Sequence, residues 1–106
     1  MADIKILLCC GAGMSSGFLA QKARQAAKKK GIMASIDARA ESEVNDYLNN
    51  IDVLMVGPHY ASRLNDFKQM AAPYNVPVIL IPQNIYAGLD GPALLELAME
   101  TATKKS

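Results

Sequence analysis

The 106-residue chain has no tryptophan, one histidine, only two cysteines and six aromatic residues in all. Each scarcity excludes something. Cys9 and Cys10 are neighbours, so they cannot staple distant parts of the chain. A disulfide scaffold is ruled out, and thiols in a reducing compartment are expected. One histidine beside an adjacent cysteine pair makes a four-ligand zinc site improbable, and no metal is expected. Charge of one sign is also missing. Eleven basic side chains stand against ten acidic ones, a formal charge of +1, and this balance speaks against a nucleic-acid partner. No apolar run approaches the roughly 20 residues that span a bilayer. No basic stretch precedes a long apolar segment at the N-terminus, so no signal peptide is read and a cytoplasmic protein is expected.

What is present is an alternation of two periods. Ile4-Lys5-Ile6-Leu7-Leu8-Cys9 is a short apolar run stopped by Gly11, the mark of a strand. From Met14 to Lys30 the apolar positions Leu19, Ala23, Ala26 and Ala27 follow helical spacing. Ser15 or Ser16 is available as N-cap, lysines fill the last turn, and Gly31 is placed to end the helix. A second strand is expected over 32–38, a short helix over 41–49, and a third strand at Val53-Leu54-Met55-Val56. A helix carrying Leu64, Phe67 and Ala71 is closed by Pro73. A fourth strand, Val78-Ile79-Leu80-Ile81, is apolar on both faces like the third. A last helix carries Leu94, Leu95, Ala98 and Ala102, with Asp90 or Gly91 near its start and Pro92 in its first turn.

This β-α-β-α-β-α-β-α order predicts an α/β fold, a single domain over 1–106 built on an open four-stranded parallel sheet of order 2-1-3-4 with helices on both faces. Strands 1 and 3 then lie side by side, and their connections leave to opposite faces. The crevice at their carboxyl ends is the switch point where such sheets bind ligands.

The segment at that crevice is Cys9-Cys10-Gly11-Ala12-Gly13-Met14-Ser15-Ser16-Gly17. Small residues running from a strand into a helix let successive backbone N–H groups turn inward, and the helix dipole adds positive potential. The result is a cradle for an anion. A thiol at its mouth is favoured as thiolate and faces a phosphate-sized nest as a nucleophile. Cys9 completes the strand and reads equally as a small buried hydrophobe. Cys10, which adjoins the glycine turn, is the stronger candidate. The dinucleotide fingerprint is not completed, because Ser16 stands three after Gly13, and no Gly-Lys-Ser/Thr is present. Low-molecular-weight phosphatases use a Cys-x5-Arg loop on a similar fold. Here Ser15 and Ser16 stand where Cys9 or Cys10 would need that arginine. A phosphatase-like hydrolase is therefore disfavoured, and a non-catalytic anion-binding module remains the other alternative.

The chain resembles the IIB component of the bacterial phosphoenolpyruvate-dependent sugar phosphotransferase system, in its lactose/cellobiose/chitobiose class. The resemblance rests on Ile6-Leu7-Leu8-Cys9-Cys10-Gly11-Ala12-Gly13-Met14-Ser15-Ser16, on Val56-Gly57-Pro58, and on Tyr86 followed by Asp90-Gly91. It implies a phosphotransferase in which Cys10 takes a phosphoryl group from a phosphohistidine of a IIA partner. Cys10 then passes the group to a sugar bound by a membrane IIC permease, contacted at the membrane surface without insertion. The phosphate would be held by Gly11, Ala12, Gly13, Met14, Ser15 and Ser16, with no cofactor. The chain departs from the family pattern at Cys9, where a bulky apolar residue is expected, and at His59, where glutamine is expected. His59 either faces the cradle or is a solvent-exposed loop residue. Gly57-Pro58 reads as a strand-ending turn, Pro82-Gln83-Asn84 as a second part of the rim, and Tyr86 as rim or core. Of the carboxylates nearest in sequence, Asp3 belongs at the far end of strand 1. Asp37 alone is placed to come close.

Overall fold

The computed structural model describes residues 4–9 and 14–103, with only the backbone for 14–16 and 103. Four parallel strands, β1 (Ile4–Cys9), β2 (Ala34–Arg39), β3 (Val53–Val56) and β4 (Val78–Leu80), form one sheet in the order β2-β1-β3-β4. The register sets Cys9 beside Arg39 on one side and beside Val56 on the other. Asp52 pins the entry to β3: its carboxylate accepts from the Lys5 N–H at 2.8 Å, and its own N–H donates to the Lys5 carbonyl at 2.7 Å.

Side chains alternate along β1 between two cores, as a strand's pleat requires. Ile4, Ile6 and Leu8 pack against helix α1 (Met14–Lys30) and helix α5 (Gly91–Thr103) through Leu19, Ala20, Ala23, Leu94, Leu95 and Ala98. Leu7 and Cys9 point the other way, onto α2 (Val44–Tyr47) and α3 (Leu64–Ala71), joining Val44, Leu48, Phe67 and Ala71. Helices thus cover both faces, as the apolar central strands require.

Helix α1 has the expected bounds, with Leu19, Ala23, Ala26 and Ala27 buried. It begins at Met14, which places Ser15 and Ser16 inside its first turn rather than at the N-cap. Both are short hydroxyl residues suited to either place, so composition alone does not fix the boundary. At the other end Gly31 adopts φ 70°. Its N–H donates to Lys28 at 3.2 Å, and Ile32 reaches back to Ala27 at 2.9 Å. That is the left-handed stop glycine favours. The same two-bond closure recurs at Asn75 (φ 58°) and at Leu89 (φ 51°).

Elsewhere the structure refines the expected elements. The second strand runs over 34–39 rather than 32–38. The expected helix over 41–49 is one α-helical turn flanked by 3-10 turns at Glu41–Glu43 and Leu48–Asn50. The fourth strand is half-buried because it lies at the sheet edge, and it stops at Leu80. Two elements had no counterpart in the sequence pattern: a 3-10 segment at Pro58–Arg63 and helix α4 (Gln83–Gly88). Pro58 and Pro82, which read as strand terminators, also open these segments. The other edge strand, β2, carries a side-chain strap. Arg24 of α1 donates its Nε–H to the Ile36 carbonyl at 2.7 Å and sets Nη2 3.6 Å from Asp37.

Candidate functional site

Strand β1 ends at Cys9 and α1 starts at Met14, so residues 10–13 join them at the carboxyl edge of the two central strands. Cys10, Gly11, Ala12 and Gly13 lie outside the described residues. Met14, Ser15 and Ser16 form the opening turn of α1. The frame that carries this connection is well defined. The parallel ladder runs to its very start, since Gly57 donates its N–H to the Cys9 carbonyl at 2.9 Å and Ile81 donates to Val56 at 2.8 Å. Cys9 is fully buried in the α2/α3 core. Its side chain is thus a packing element beneath the loop, which matches the hydrophobe reading of that position.

The segments that follow the other strands rise around this edge. After β3, the exposed His59 sets its ring 4.7 Å from Tyr60 and 5.9 Å from Tyr86 of α4, centroid to centroid. His59 therefore joins an aromatic group at the rim instead of standing alone in a loop. Tyr86 is both rim and core: half-buried, it packs on the α1/α5 core and meets His59. Tyr60 rests edge-on against Phe67 at 5.5 Å. Pro82 closes β4, and Gln83 and Asn84 are exposed in the first turn of α4. Gly57 is a buried strand-ending residue.

Two arginines complete the wall on the α2/α3 side. Arg39, at the end of β2, donates from Nε to the Tyr47 hydroxyl at 2.7 Å and from Nη1 to the Ala38 carbonyl at 3.1 Å. Its guanidinium lies 5.3 Å from the Tyr47 ring centroid, and Nε is 4.0 Å from a Glu43 carboxylate oxygen. The Tyr47 hydrogen bond raises the Arg39 pKa above its ordinary value. Arg63 follows β3 and pairs with Glu41, which follows β2. Because β1 lies between those strands, this ion pair spans its carboxyl end. Arg63 also covers the Tyr60 and Phe67 rings at 5.8 and 5.6 Å and lies 3.9 Å from Asp66. Its hydrogen bond to Glu41 holds that carboxyl below the usual carboxylate range and lifts its own pKa.

Asp37, the one carboxylate expected near the loop, is engaged by Arg24 at the sheet edge. Among the described residues no group of three His, Cys, Asp or Glu side chains is placed to hold a metal ion, and no helix is long and apolar enough to cross a membrane. The lysine run 28–30 is an exposed helix end, with Lys30 paired to Glu96 at 3.1 Å. The rim residues Arg39, Tyr47, Glu41 and Arg63 were not singled out from sequence. Their signal was positional: each lies at or just beyond a strand or helix end beside the switch point.

The geometry defines an α/β protein with aromatic and basic side chains around the switch point of its parallel sheet. Comparison with known proteins gives this class its family. The family model for the lactose/cellobiose-specific IIB subunit of the PTS system matches residues 5–97, and the chain belongs to that family. It is 30% identical over 95 residues to the oligo-beta-mannoside-specific EIIB component of Bacillus subtilis, covering 90% of this chain and 92% of that one. The solution structure of the cellobiose-specific IIB component of Borrelia burgdorferi superposes with a TM-score of 0.83 at 31% identity, covering 99% of this chain and 96% of that one. A lactose-specific EIICB component of Lacticaseibacillus casei is 25% identical over 77 residues, 73% of this chain but 13% of that longer protein. The chain is thus a IIB component of a sugar phosphotransferase system.

Proposed function

We propose that this IIB protein is a phosphoryl carrier whose acceptor is Cys10, the first residue of the strand-to-helix loop. The observation that carries the reading is the placement of Cys9. That side chain is committed to the core below the sheet edge, which leaves Cys10 as the thiol of this pair for the transfer chemistry. In the first step the Cys10 thiolate attacks the phosphorus of a IIA phosphohistidine. An S–P bond forms as the N–P bond breaks, and the departing imidazole takes up a proton. In the second step a hydroxyl of the sugar held by the IIC permease attacks phosphorus and gives up its proton, and the S–P bond breaks to return the thiolate. Backbone N–H groups of Gly11, Ala12, Gly13 and Met14, with the Ser15 and Ser16 hydroxyls, neutralise the phosphoryl oxygens without a metal or cofactor. Sugar choice rests with IIC, and the work is done on the cytoplasmic side of the membrane.

The test is incubation with phosphoenolpyruvate, the general phosphotransferase proteins and a IIA partner, followed by intact-mass measurement. One phosphoryl group is expected on the wild type and on Cys9→Ser, and none on Cys10→Ser. Phosphate carried by Cys10→Ser at the wild-type rate overturns the assignment. Steady release of inorganic phosphate would identify a hydrolase instead.

A further inference from the structure

We infer that an open cavity at the amino edge of the sheet is a binding site for a neutral saccharide, with Lys5, Asn49, Asn50, Asp52 and Tyr74 as its recognition groups. The cavity has a volume of about 490 Å³. Lys5 is the second residue of β1, residues 49–52 lead into β3, and Tyr74 precedes β4. All of them lie where the strands begin, at the opposite end from the switch point. The inference does not depend on the carrier reading.

Its first support is that three segments distant in sequence are held there by main-chain bonds. The Lys5 N–H donates to Asp52 Oδ2 at 2.8 Å, and the Asp52 N–H donates to the Lys5 carbonyl at 2.7 Å. The turn Leu48–Asn50 is anchored by the fully buried Leu48. Tyr74 ends a 3-10 turn that Asn75 closes in the left-handed conformation, donating its N–H to the Ala72 carbonyl at 3.1 Å. The buried Val76 then donates to Ala71 at 3.4 Å. The cavity is therefore formed before any ligand arrives, which lowers the cost of binding.

The second support is unspent hydrogen-bonding capacity. The side chains of Lys5, Asn49, Asn50 and Tyr74 take no hydrogen-bond or ion-pair partner from the described residues, and Asp52 uses one carboxylate oxygen. The ammonium only donates, the carboxylate only accepts, and the two amides and the phenol do both. Such a mixed set matches hydroxyl groups, which also donate and accept. The two charges are of opposite sign, so neither an anion nor a cation gains a net attraction. The third support is the Tyr74 ring, 40% exposed. A tyrosine offers a rigid apolar face with a polar tip. A sugar ring likewise has an apolar C–H face and a polar circumference. A wholly apolar ligand would call for a mainly apolar lining, and here the polar side chains outnumber Leu48 and Ile51. Occupation leaves the carboxyl edge of the sheet uncovered, which separates this site from the transfer chemistry.

The test follows amide resonances of the isotope-labelled full chain during titration with cellobiose, with lactose and with sorbitol, an open-chain polyol that lacks a ring face. Saturable shifts in the millimolar range are expected with a disaccharide, as an open site with few contacts dictates. They are expected at Lys5, at residues 49–52 and at Tyr74, while Gly57 and Ile81 at the carboxyl edge stay still. Tyr74→Ala is expected to weaken binding about tenfold and Asn50→Ala about three- to tenfold, while Tyr74→Phe keeps most of the affinity. No saturable shift with either disaccharide, equal shifts with sorbitol, or shifts centred on the carboxyl edge overturn the inference. Undiminished affinity in a folded Tyr74→Ala protein also overturns it. If Tyr74→Ala does not fold, Asn50→Ala, at an exposed position, decides on the same terms. The titration uses no phosphoryl donor, so a wild type that takes no phosphate sinks the carrier reading and leaves this result standing.

Discussion

Replacing Gly91 with alanine is expected to cost this protein much of its stability. A Cβ built on Gly91 would lie 2.3 Å from the Lys22 carbonyl carbon, 2.5 Å from its oxygen and 2.6 Å from the Ala23 nitrogen. Ordinary carbon contacts begin near about 3.5 Å, so α5 would have to withdraw from α1 by roughly 1 Å. The obstructing atoms are backbone in the middle of a 17-residue helix and cannot rotate aside. Withdrawal loosens the seam where Leu94, Leu95 and Ala98 meet Leu19 and Ala23, all of them buried. Overfilling a packed site costs about 1–3 kcal/mol, and a clash against main chain belongs at the upper end. At about 4–8 °C per kcal/mol for a domain near this size, about 3 kcal/mol corresponds to a melting point lower by roughly 12–24 °C. Thermal unfolding followed by far-UV circular dichroism measures it. Gly17→Ala is the control, since nothing lies within 4 Å of the added methyl. There alanine is expected to gain about 0.5–1 kcal/mol of helix propensity. A Gly91→Ala melting point within about 5 °C of wild type would refute the close-approach argument.

Two further outcomes follow from the rim and the loop. Arg63 lowers the Glu41 pKa, so the stability contributed by that pair is present above the ordinary glutamate value and fades as pH falls through the lowered one. The melting-point difference between wild type and Glu41→Gln should be steady near neutral pH and close once pH drops below about 4.3; a gap that persists or widens in acid contradicts the pairing. The phosphorylated protein, freed of donor and treated with EDTA, should keep its phosphate and still deliver it to an acceptor. Rapid loss without acceptor, or transfer halted by EDTA, contradicts a metal-free carrier.

Where each prediction succeeded is physically instructive. Strand β1, helix α1 and strand β3 took the expected bounds because their signals are local and redundant: an apolar run halted by glycine, a long amphipathic period, and a run apolar on both faces. Helix α4 escaped notice because it is six residues long and ends at Leu89 in a left-handed conformation. A leucine gives no sequence sign of that conformation, whereas Gly31 announces it for α1. The candidate loop can be named from sequence because its residue types sit together in the chain, though residues 10–13 lie outside the described residues. The pairs around the sheet's carboxyl edge are not legible in this way, because Arg39 with Tyr47 and Arg63 with Glu41 come together only in the folded chain. Asp37, the one carboxylate that could come close to the loop, is paired with Arg24 across 3.6 Å, a contact that sequence spacing does not announce.

The Arg24 strap on that edge bears on how long encounters last. A strand with open main-chain groups invites a strand of another molecule to zip on, and such pairing dissociates slowly. In this protein α1 lays a charged side chain along β2, where it takes up the Ile36 carbonyl and faces Asp37. An approaching strand would have to displace a guanidinium and meet a carboxylate. Strand addition at this flank is thereby disfavoured, while at the carboxyl edge Arg39, His59 and Tyr86 stand exposed or half-exposed. On the carrier reading proposed above, the protein meets one partner after another and works at the rate at which it lets go, so a blunted flank favours short residence times.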